Sequence, residues 1–497
     1  MSGCTVNIKW GKQKFEKVEV NTNDPPEVFM AQIFALSGVP PERQKIMAKG
    51  KTLKEGDSWS GFPVKSGTTW MLMGSADALP AAPVQQTKFI EDQPEGASLM
   101  TDLPAGLSNL GNTCYMNATV QCLKNVPELQ DGLNSFEGKL NVGSVLTNPS
   151  EAITASLRDL YKMMDKATTG FPPFIFLQVL HSAFPHFAEK GEGGVFQQQD
   201  ANECWTQIVR MLQQKLPARK SNTEATSAGA VSSGSLIDQC FGINYKSTMK
   251  CDESEDEPET ESTERVYQLS CHITQDVKYL HTGLRNRLKE TITKASPTLN
   301  RDASYTKTNL IDRLPSYLTV QFVRFYYKEK EKINAKVLKE VQFPMVLDTY
   351  ELCSPDLQKK LLPMRNKFKD KEDKDAERKA AAKKAKEDDP NKMDVDTPSE
   401  NSNSETLPFE FADDPNSNNS GYYELTAVLT HKGRSSSSGH YVAWVRHKGD
   451  QWLMYDDDNV HPMTQADVLK LNGGGDWHTA YVLLYGPKKL VVEKDDK

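Results

Sequence analysis

The chain has no Cys-x-x-Cys pair, no His-x-His and no His-Glu-x-x-His, so the usual side-chain sets for a zinc ion are missing. It has no apolar run long enough to span a bilayer. Its first residues, Met-Ser-Gly-Cys-Thr-Val, lack a secretory signal pattern. The eight cysteines show no framework spacing, which excludes a disulfide scaffold and points to a reducing compartment, cytosolic or nuclear. No repeat of 20–50 residues recurs. No nucleic-acid recognition motif accompanies the basic residues, so a nucleic-acid partner is not expected. What is present is length: 497 residues exceed a single compact core and imply two or more domains. The net charge of −7 is uneven. Residues 1–74 hold more Lys and Arg than Asp and Glu, and the remainder is acidic enough to favour a basic ligand.

The first 74 residues read as a small α+β unit of order ββαββ. Apolar Val6, Ile8 and Trp10 alternate with polar neighbours, which predicts strands over 4–11 and 15–20 around a Gly-Lys-Gln-Lys turn. Asp24-Pro25-Pro26 opens a helix whose apolar residues are Val28, Phe29, Ile33, Phe34 and Leu36. Gln44–Ala48 and Thr69–Met73 supply further strands. The segment Gly-Val-Pro-Pro-Glu-Arg-Gln-Lys-Ile-Met-Ala-Lys-Gly-Lys-Thr-Leu closely resembles ubiquitin, which makes 4–74 a ubiquitin-like β-grasp domain. It ends in Gly74-Ser75-Ala76-Asp77 and not in Gly-Gly, so docking is expected of it and not conjugation.

Residues 75–103, rich in Ala, Pro, Gln and Asp, read as a flexible linker. A second domain is expected over 104–487. Three stretches in it have too few large apolar residues to bury, and so read as disordered insertions: 216–234, 252–264 and 365–406. Part of 369–388 fits a helix laced with salt bridges.

Chemistry begins at Gly-Leu-Ser-Asn-Leu-Gly-Asn-Thr-Cys-Tyr-Met-Asn, a glycine- and asparagine-rich loop running into Cys114 and then into a helical pattern. A thiol at a helix N-terminus has the dipole and free N–H groups on the side of its thiolate. Asn109 offers a donor for an oxyanion. A nucleophilic thiol also needs a base and an orienting group. Gly439-His440-Tyr441-Val442-Ala443-Trp444 reads as a turn entering a strand, and Gln451–Asp458 as its antiparallel partner, so a hairpin can set Asp456 beside His440. Asp457 competes for the third role. Gln198-Gln199-Asp200-Ala201-Asn202-Glu203 reads either as a helix start, with Asp200 as cap and Glu203 as its capping-box partner, or as an acidic contact for a basic substrate segment.

Gly106–Leu123, Gln198–Glu203, Tyr422–Trp444 and Trp452–Asp458 match, in order, the motifs of the ubiquitin-specific protease family, and the chain resembles that family over about 104–487. The resemblance implies an α+β fold with a papain-like thumb and palm and with β-strand fingers that grip ubiquitin. It implies Cys114 as nucleophile, His440 as general base and then acid, Asp456 as the orienting group, and Asn109 in the oxyanion hole. It places Gln198, Asp200, Glu203 and Tyr441 along the ubiquitin tail. Family members often hold a finger zinc with two Cys-x-x-Cys pairs; Cys251 and Cys271 stand singly here, so neither a metal nor any other cofactor is expected. With the ubiquitin-like start, the layout resembles the proteasome-associated branch, which implies docking on the 26S proteasome regulatory particle and activation there. In that branch, loops occlude the channel. Ser435, Ser436, Ser437 and Ser438 fit such a regulatory loop, and a second is expected near Lys328–Val337. Arg434 three residues before Ser437 also suits a phosphorylation site. The alternative is a non-catalytic ubiquitin-binding regulator of the proteasome, which predicts damage to the triad; none is visible.

Overall fold

A computed structural model of the chain describes residues 4–74, 103–388 and 404–493, apart from 38, 40, 55, 142, 144, 192, 220–233, 329–332, 436, 437 and 476. The chain divides into two units, residues 1–99 and 100–497. The predicted linker over 75–103 lies outside the described residues except for Leu103.

In the first unit, β1 (Cys4–Trp10) and β2 (Gln13–Val20) form a hairpin. Gly11, at φ 55°, makes its turn tighter than the sequence suggests. Helix α1 (Pro26–Ser37), β3 (Lys45–Ala48), β4 (Lys51–Leu53) and β5 (Thr69–Met73) complete a sheet of order β2-β1-β5-β3-β4, with β1 and β5 parallel. Val6, Ile8, Trp70 and Leu72 point from the sheet onto Phe29, Met30 and Ile33 of the helix. Burying each such side chain is worth about 1.5–3 kcal/mol, which is how so short a chain holds together. Val28, Phe34 and Leu36, also among the helix's apolar residues, stay 46–49% exposed, because the small sheet covers only one stripe of α1.

The second unit begins with helices α2 (Cys114–Lys124), α3 (Pro127–Asn134), α4 (Pro149–Met164), α5 (Phe174–Ala183), α6 (Ala201–Gln213) and α7 (Leu236–Phe241). There follow β6 (Ile243–Cys251), β7 (Thr260–Val266), β8 (Leu269–His272), α8 (Leu280–Arg287), β9 (Lys289–Ser296) and β10 (Arg301–Arg313). Next are β11 (Leu318–Val323), β12 (Phe325–Lys328), β13 (Ile333–Lys336), β14 (Val346–Asp348) and α9 (Pro355–Asp388). The chain closes with β15 (Ser404–Thr406), β16 (Tyr422–Ser435), β17 (Ser438–Arg446), β18 (Gln451–Asp456), β19 (Asn459–Thr464), α10 (Gln465–Leu469), β20 (Thr479–Pro487) and β21 (Val491–Glu493).

The main sheet runs β19-β18-β17-β16-β20-β11-β8 and separates two cores. Tyr441, Ala443 and Val445 of β17 face the helical core around α2, while Val442 and Trp444 face the other core. This period of two is the reason a strand read from sequence can seat one row on the thumb helices and the next row away from them. A separate sheet, β7-β6-β10-β9, makes the fingers. Mixed helix and sheet in this arrangement is the α+β class expected.

Two of the predicted insertions are ordered in part. Residues 260–266 are β7, and 252–259 join it to β6 through defined contacts, where a disordered acidic stretch was expected. Their carboxylates find donors on the neighbouring hairpin, so hydrogen bonds tether a segment that burial alone would not. Residues 365–388 continue α9, whose first turns are anchored by buried Leu357, Leu361 and Phe368. Most of the 216–234 stretch lies outside the described residues, but Leu216 belongs to the core. Among the described residues no helix is long and apolar enough to cross a membrane.

Candidate active site

Helix α2 is buried along almost its whole length, from Cys114 to Leu123. Its polar side chains are tied to the loop that precedes it. Asn117 donates to the Leu107 carbonyl at 3.0 Å, and Gln121 donates to the Ala105 carbonyl at 3.2 Å. Thr119 donates to the Ala201 carbonyl at 3.2 Å, which links α2 to the start of α6. The loop itself is folded by Asn109, whose Oδ1 accepts from Gly111 N at 2.9 Å and from Thr113 N at 3.2 Å. Gly111 at φ 100° and Asn112 at φ 56° make the reversal. Thr113 turns its hydroxyl back to Leu110 N at 2.9 Å and does not cap α2. Cys114 is therefore the first residue of a helix without a side-chain cap; Met116 N and Asn117 N turn back to the Thr113 carbonyl, and the N–H groups of Cys114 and Tyr115 come before them.

The imidazole arrives on the other wall. Ala443 of β17 pairs with Tyr455 of β18, so Asp456 lies diagonally across from His440. His440 Nε2 and Asp456 Oδ1 are 2.5 Å apart, and His440 is also hydrogen-bonded to Cys114. The bond to Cys114 and then the bond to Asp456 push the imidazole up to about 9, against the opposite pull of burial. At neutral pH it is an imidazolium. Two further histidines nearby go the other way. Burial holds His431 down to about 3 and His478 to about 4, each with help from neighbouring positive charge. One histidine of the three is thus kept charged, and it is the one against the thiol.

Asp456 and Asp457 divide the work that the sequence left open between them. Asp456 takes the imidazole. Asp457, in a left-handed conformation at φ 53°, accepts from Asn109 Nδ2 and from Asn117 Nδ2, each at 2.9 Å. Its backbone carbonyl also accepts from Leu107 N at 2.9 Å. The end of β18 therefore grips both the imidazole and the cysteine loop. Asn117 was missed in the sequence; an amide three residues after Cys114, within a largely apolar helix, was the signal for it. The ligand atoms of His440, Asp456 and Asp457 lie within 4.8 Å of one another, a spacing that suits a cation. They are engaged, however, with one another, Asn109 and Asn117.

The four residues expected along a substrate tail fare differently. Asp200 is the N-cap of α6, accepting from Asn202 N at 2.7 Å and Glu203 N at 3.0 Å, while its second oxygen accepts from Tyr481 at 2.7 Å. Glu203 faces His186 at 3.2 Å and does not return a capping-box bond. Gln198 donates to the carbonyl of Gly439, the residue before His440. Tyr441 is a correction: it is 1% exposed, in the buried row of β17, and presents no surface to a ligand. Asn112, Phe196, Gln198, Ser438 and Gly439 line a cleft of about 490 Å³ at this edge.

The serine-rich stretch is also more ordered than a loop. Ser435 ends β16 and pairs with Ser438 of β17. Ser436 and Ser437 lie outside the described residues. The second expected loop forms the β12–β13 hairpin, with 329–332 outside the described residues. The two hairpins are joined, because Ala335 pairs with Ser435 and Lys336 donates to the His431 carbonyl at 2.5 Å. Gly439, at φ 146°, sits where a Cβ would overlap the Lys432 carbonyl and the His431 ring.

The family model described as ubiquitin carboxyl-terminal hydrolase matches residues 105–485. Ubiquitin carboxyl-terminal hydrolase 6 of Arabidopsis thaliana is 44% identical, over 97% of this chain and 98% of its own length. Ubiquitin carboxyl-terminal hydrolase 14 of Caenorhabditis elegans is 42% identical, over 97% and 92%. Ubiquitin carboxyl-terminal hydrolase 6 of Schizosaccharomyces pombe is 36% identical, over 98% and 99%.

Proposed function

Since the chain belongs to the ubiquitin carboxyl-terminal hydrolase family, we propose that it releases ubiquitin from conjugates held at the proteasome, docking there through residues 4–74. It is a cysteine-type ubiquitinyl hydrolase. The observation that carries the mechanism is the line from Cys114 through His440 to Asp456. The Cys114 sulfur attacks the carbonyl carbon of the isopeptide bond, and negative charge builds on its oxygen. The donors for that charge are Asn109 Nδ2, which keeps a second proton beside its bond to Asp457, and the N–H groups of Cys114 and Tyr115. The His440 imidazolium then gives its proton to the departing lysine amine, leaving a thioester. Neutral His440 next takes a proton from water, which attacks the thioester and frees ubiquitin's carboxylate. Asp456 holds the imidazole in one orientation throughout.

Gln198 on Gly439, and the joined β12–β13 and β16–β17 hairpins, support a resting state in which the tail's channel is narrowed and docking opens it. The work is expected in the cytosol and the nucleus. The non-catalytic alternative requires a damaged triad, which His440 and Asp456 do not support. The test is covalent capture by ubiquitin carrying a C-terminal electrophile, with and without proteasome. Wild type should form an adduct, faster with proteasome, and Cys114→Ala should form none. No wild-type adduct under either condition would remove the enzyme reading; equal rates would remove activation by docking.

A further inference from the structure

The finger sheet is anchored at its base, where Ile243, Ile311 and Leu314 enter the second core. Its tip has a core of only Cys251, Ala303 and Tyr305, with Met249, Ile292 and Leu299 packed at its margin. So small a cluster fixes a projecting sheet weakly. Above it lies Glu257, in the connection between β6 and β7. Its Oε1 accepts from the Tyr305 hydroxyl at 2.7 Å, and its Oε2 accepts from Ser296 at 2.7 Å and Thr298 at 2.9 Å. Ser296 and Tyr305 are 3% and 2% exposed, so the carboxylate closes over hydroxyls that water reaches poorly. Beside it, Glu253 accepts from Ser304 N at 2.7 Å and pairs with Arg301 at 2.7 Å, and Asp252 accepts from the Ser304 hydroxyl at 3.0 Å. All of these bonds run from the β6–β7 connection to β9, β10 and the turn between them.

We infer that Glu257 is a positioning residue for substrate: its carboxylate clasps the two finger hairpins at their tips and sets the surface that holds the folded body of ubiquitin. This rests on the proposed ubiquitin reading. The clasp belongs to a separate sheet and a separate core cluster from Cys114, so it acts on capture of ubiquitin and leaves bond chemistry alone. Three hydroxyls converging on one carboxylate do the joining that burial at the tip is too slight to do. Losing that acceptor removes the charged partner shared by Ser296, Thr298 and Tyr305 and leaves their hydroxyls only one another.

The experiment uses the full chain and ubiquitin bearing a C-terminal electrophile at a series of concentrations, which separates the half-saturating concentration from the limiting rate. Glu257→Ala and Tyr305→Phe should each raise the half-saturating concentration, Glu257→Ala by about five- to tenfold, since charge-assisted bonds are stronger than neutral ones. The limiting rate, and alkylation of Cys114 by iodoacetamide, should stay at wild-type values. Hydrogen exchange should quicken in 252–257 and 296–305 while α2 is unchanged. An unchanged half-saturating concentration, or a fall in limiting rate and alkylation together, overturns the inference. A wild-type chain that forms no adduct at all overturns instead the reading on which it rests.

Discussion

Around Cys114, Asn109, Asn112, Thr113, Asn117, Thr119 and Gln121 all have partners, in the loop itself, on the backbone of Phe196 and Ala201, and on the Asp457 carboxylate. Around His440 the pattern is looser. The β16–β17 pairing is irregular between Lys432 and Ser435, two glycines carry φ of 130° and 146°, and both ring nitrogens of buried His431 lack a hydrogen-bond partner. The wall bearing Cys114 is fixed by many side-chain bonds, and the wall bearing His440 is held by few. The difference teaches where control can act. A conformational change that moves the sulfur must break the α2 network, while one that moves the hairpin before His440 needs to release Gln198 and Lys336.

The largest break in that comparison is expected at Asp456, the point where the looser wall holds the imidazole. Asp456→Asn should lower kcat/KM by about 10²–10⁴-fold, since orientation of the base is lost while the fold is kept. Its pH profile adds a second readout. His440 sits at about 9, above its ordinary 6.5, so the charged pair is complete below 6.5 and is lost as pH rises through 9. The wild-type rate should therefore have an alkaline limb near pH 9, the same window in which that pair's contribution to stability disappears. Asp456→Asn should move the limb to lower pH. An unmoved limb would assign the proton to another group.

Asp457 comes next, because it belongs to the rigid wall although it is adjacent to Asp456. Asp457→Ala frees Asn109 and Asn117 together, and should reduce kcat about 10- to 100-fold with little change in KM. If it acts through Asn109, then Asn109→Ala in the Asp457→Ala background should add much less than it does alone. Independent, multiplicative losses would show that the two do not work as one unit.

The rigid wall was the more legible of the two in sequence. The cysteine loop signals itself locally, through glycine and asparagine at reversals before an apolar helical pattern, although the amide of Asn117 inside that helix was missed. The pairing of His440 with Asp456 was also readable, since a hairpin brings sequence neighbours together. That hairpin set Asp456 beside His440 and left Asp457 as a competitor; what was not readable was the part Asp457 takes, since its left-handed turn toward Asn109 and Asn117 has no local signal. Tyr441 was misread for a matter of parity: beside a catalytic residue on a strand, the next side chain belongs to the opposite row. The contact of Gln198 with Gly439 spans 241 residues, and no local pattern announces it. The acidic 252–264 stretch failed the test of burial, which says nothing of carboxylates that fold by finding hydroxyls.

The smallest expected effect concerns the joint between the two hairpins. Lys336 is 8% exposed and donates to the carbonyl of His431, whose neighbour Lys432 pairs with His440. Lys336→Met keeps the aliphatic stem and removes the charged donor. The β12–β13 hairpin then keeps its backbone pairing to β16 at Ala335 and Ser435. If the joint keeps the channel narrow, capture by electrophilic ubiquitin should quicken about three- to tenfold in the undocked chain, as a change of about 1 kcal/mol between closed and open states would give. The docked chain, already open, should react as wild type does. A rate that falls in both states would mean that Lys336 supports His440 itself, and the looser wall would then be as indispensable to the chemistry as the rigid one.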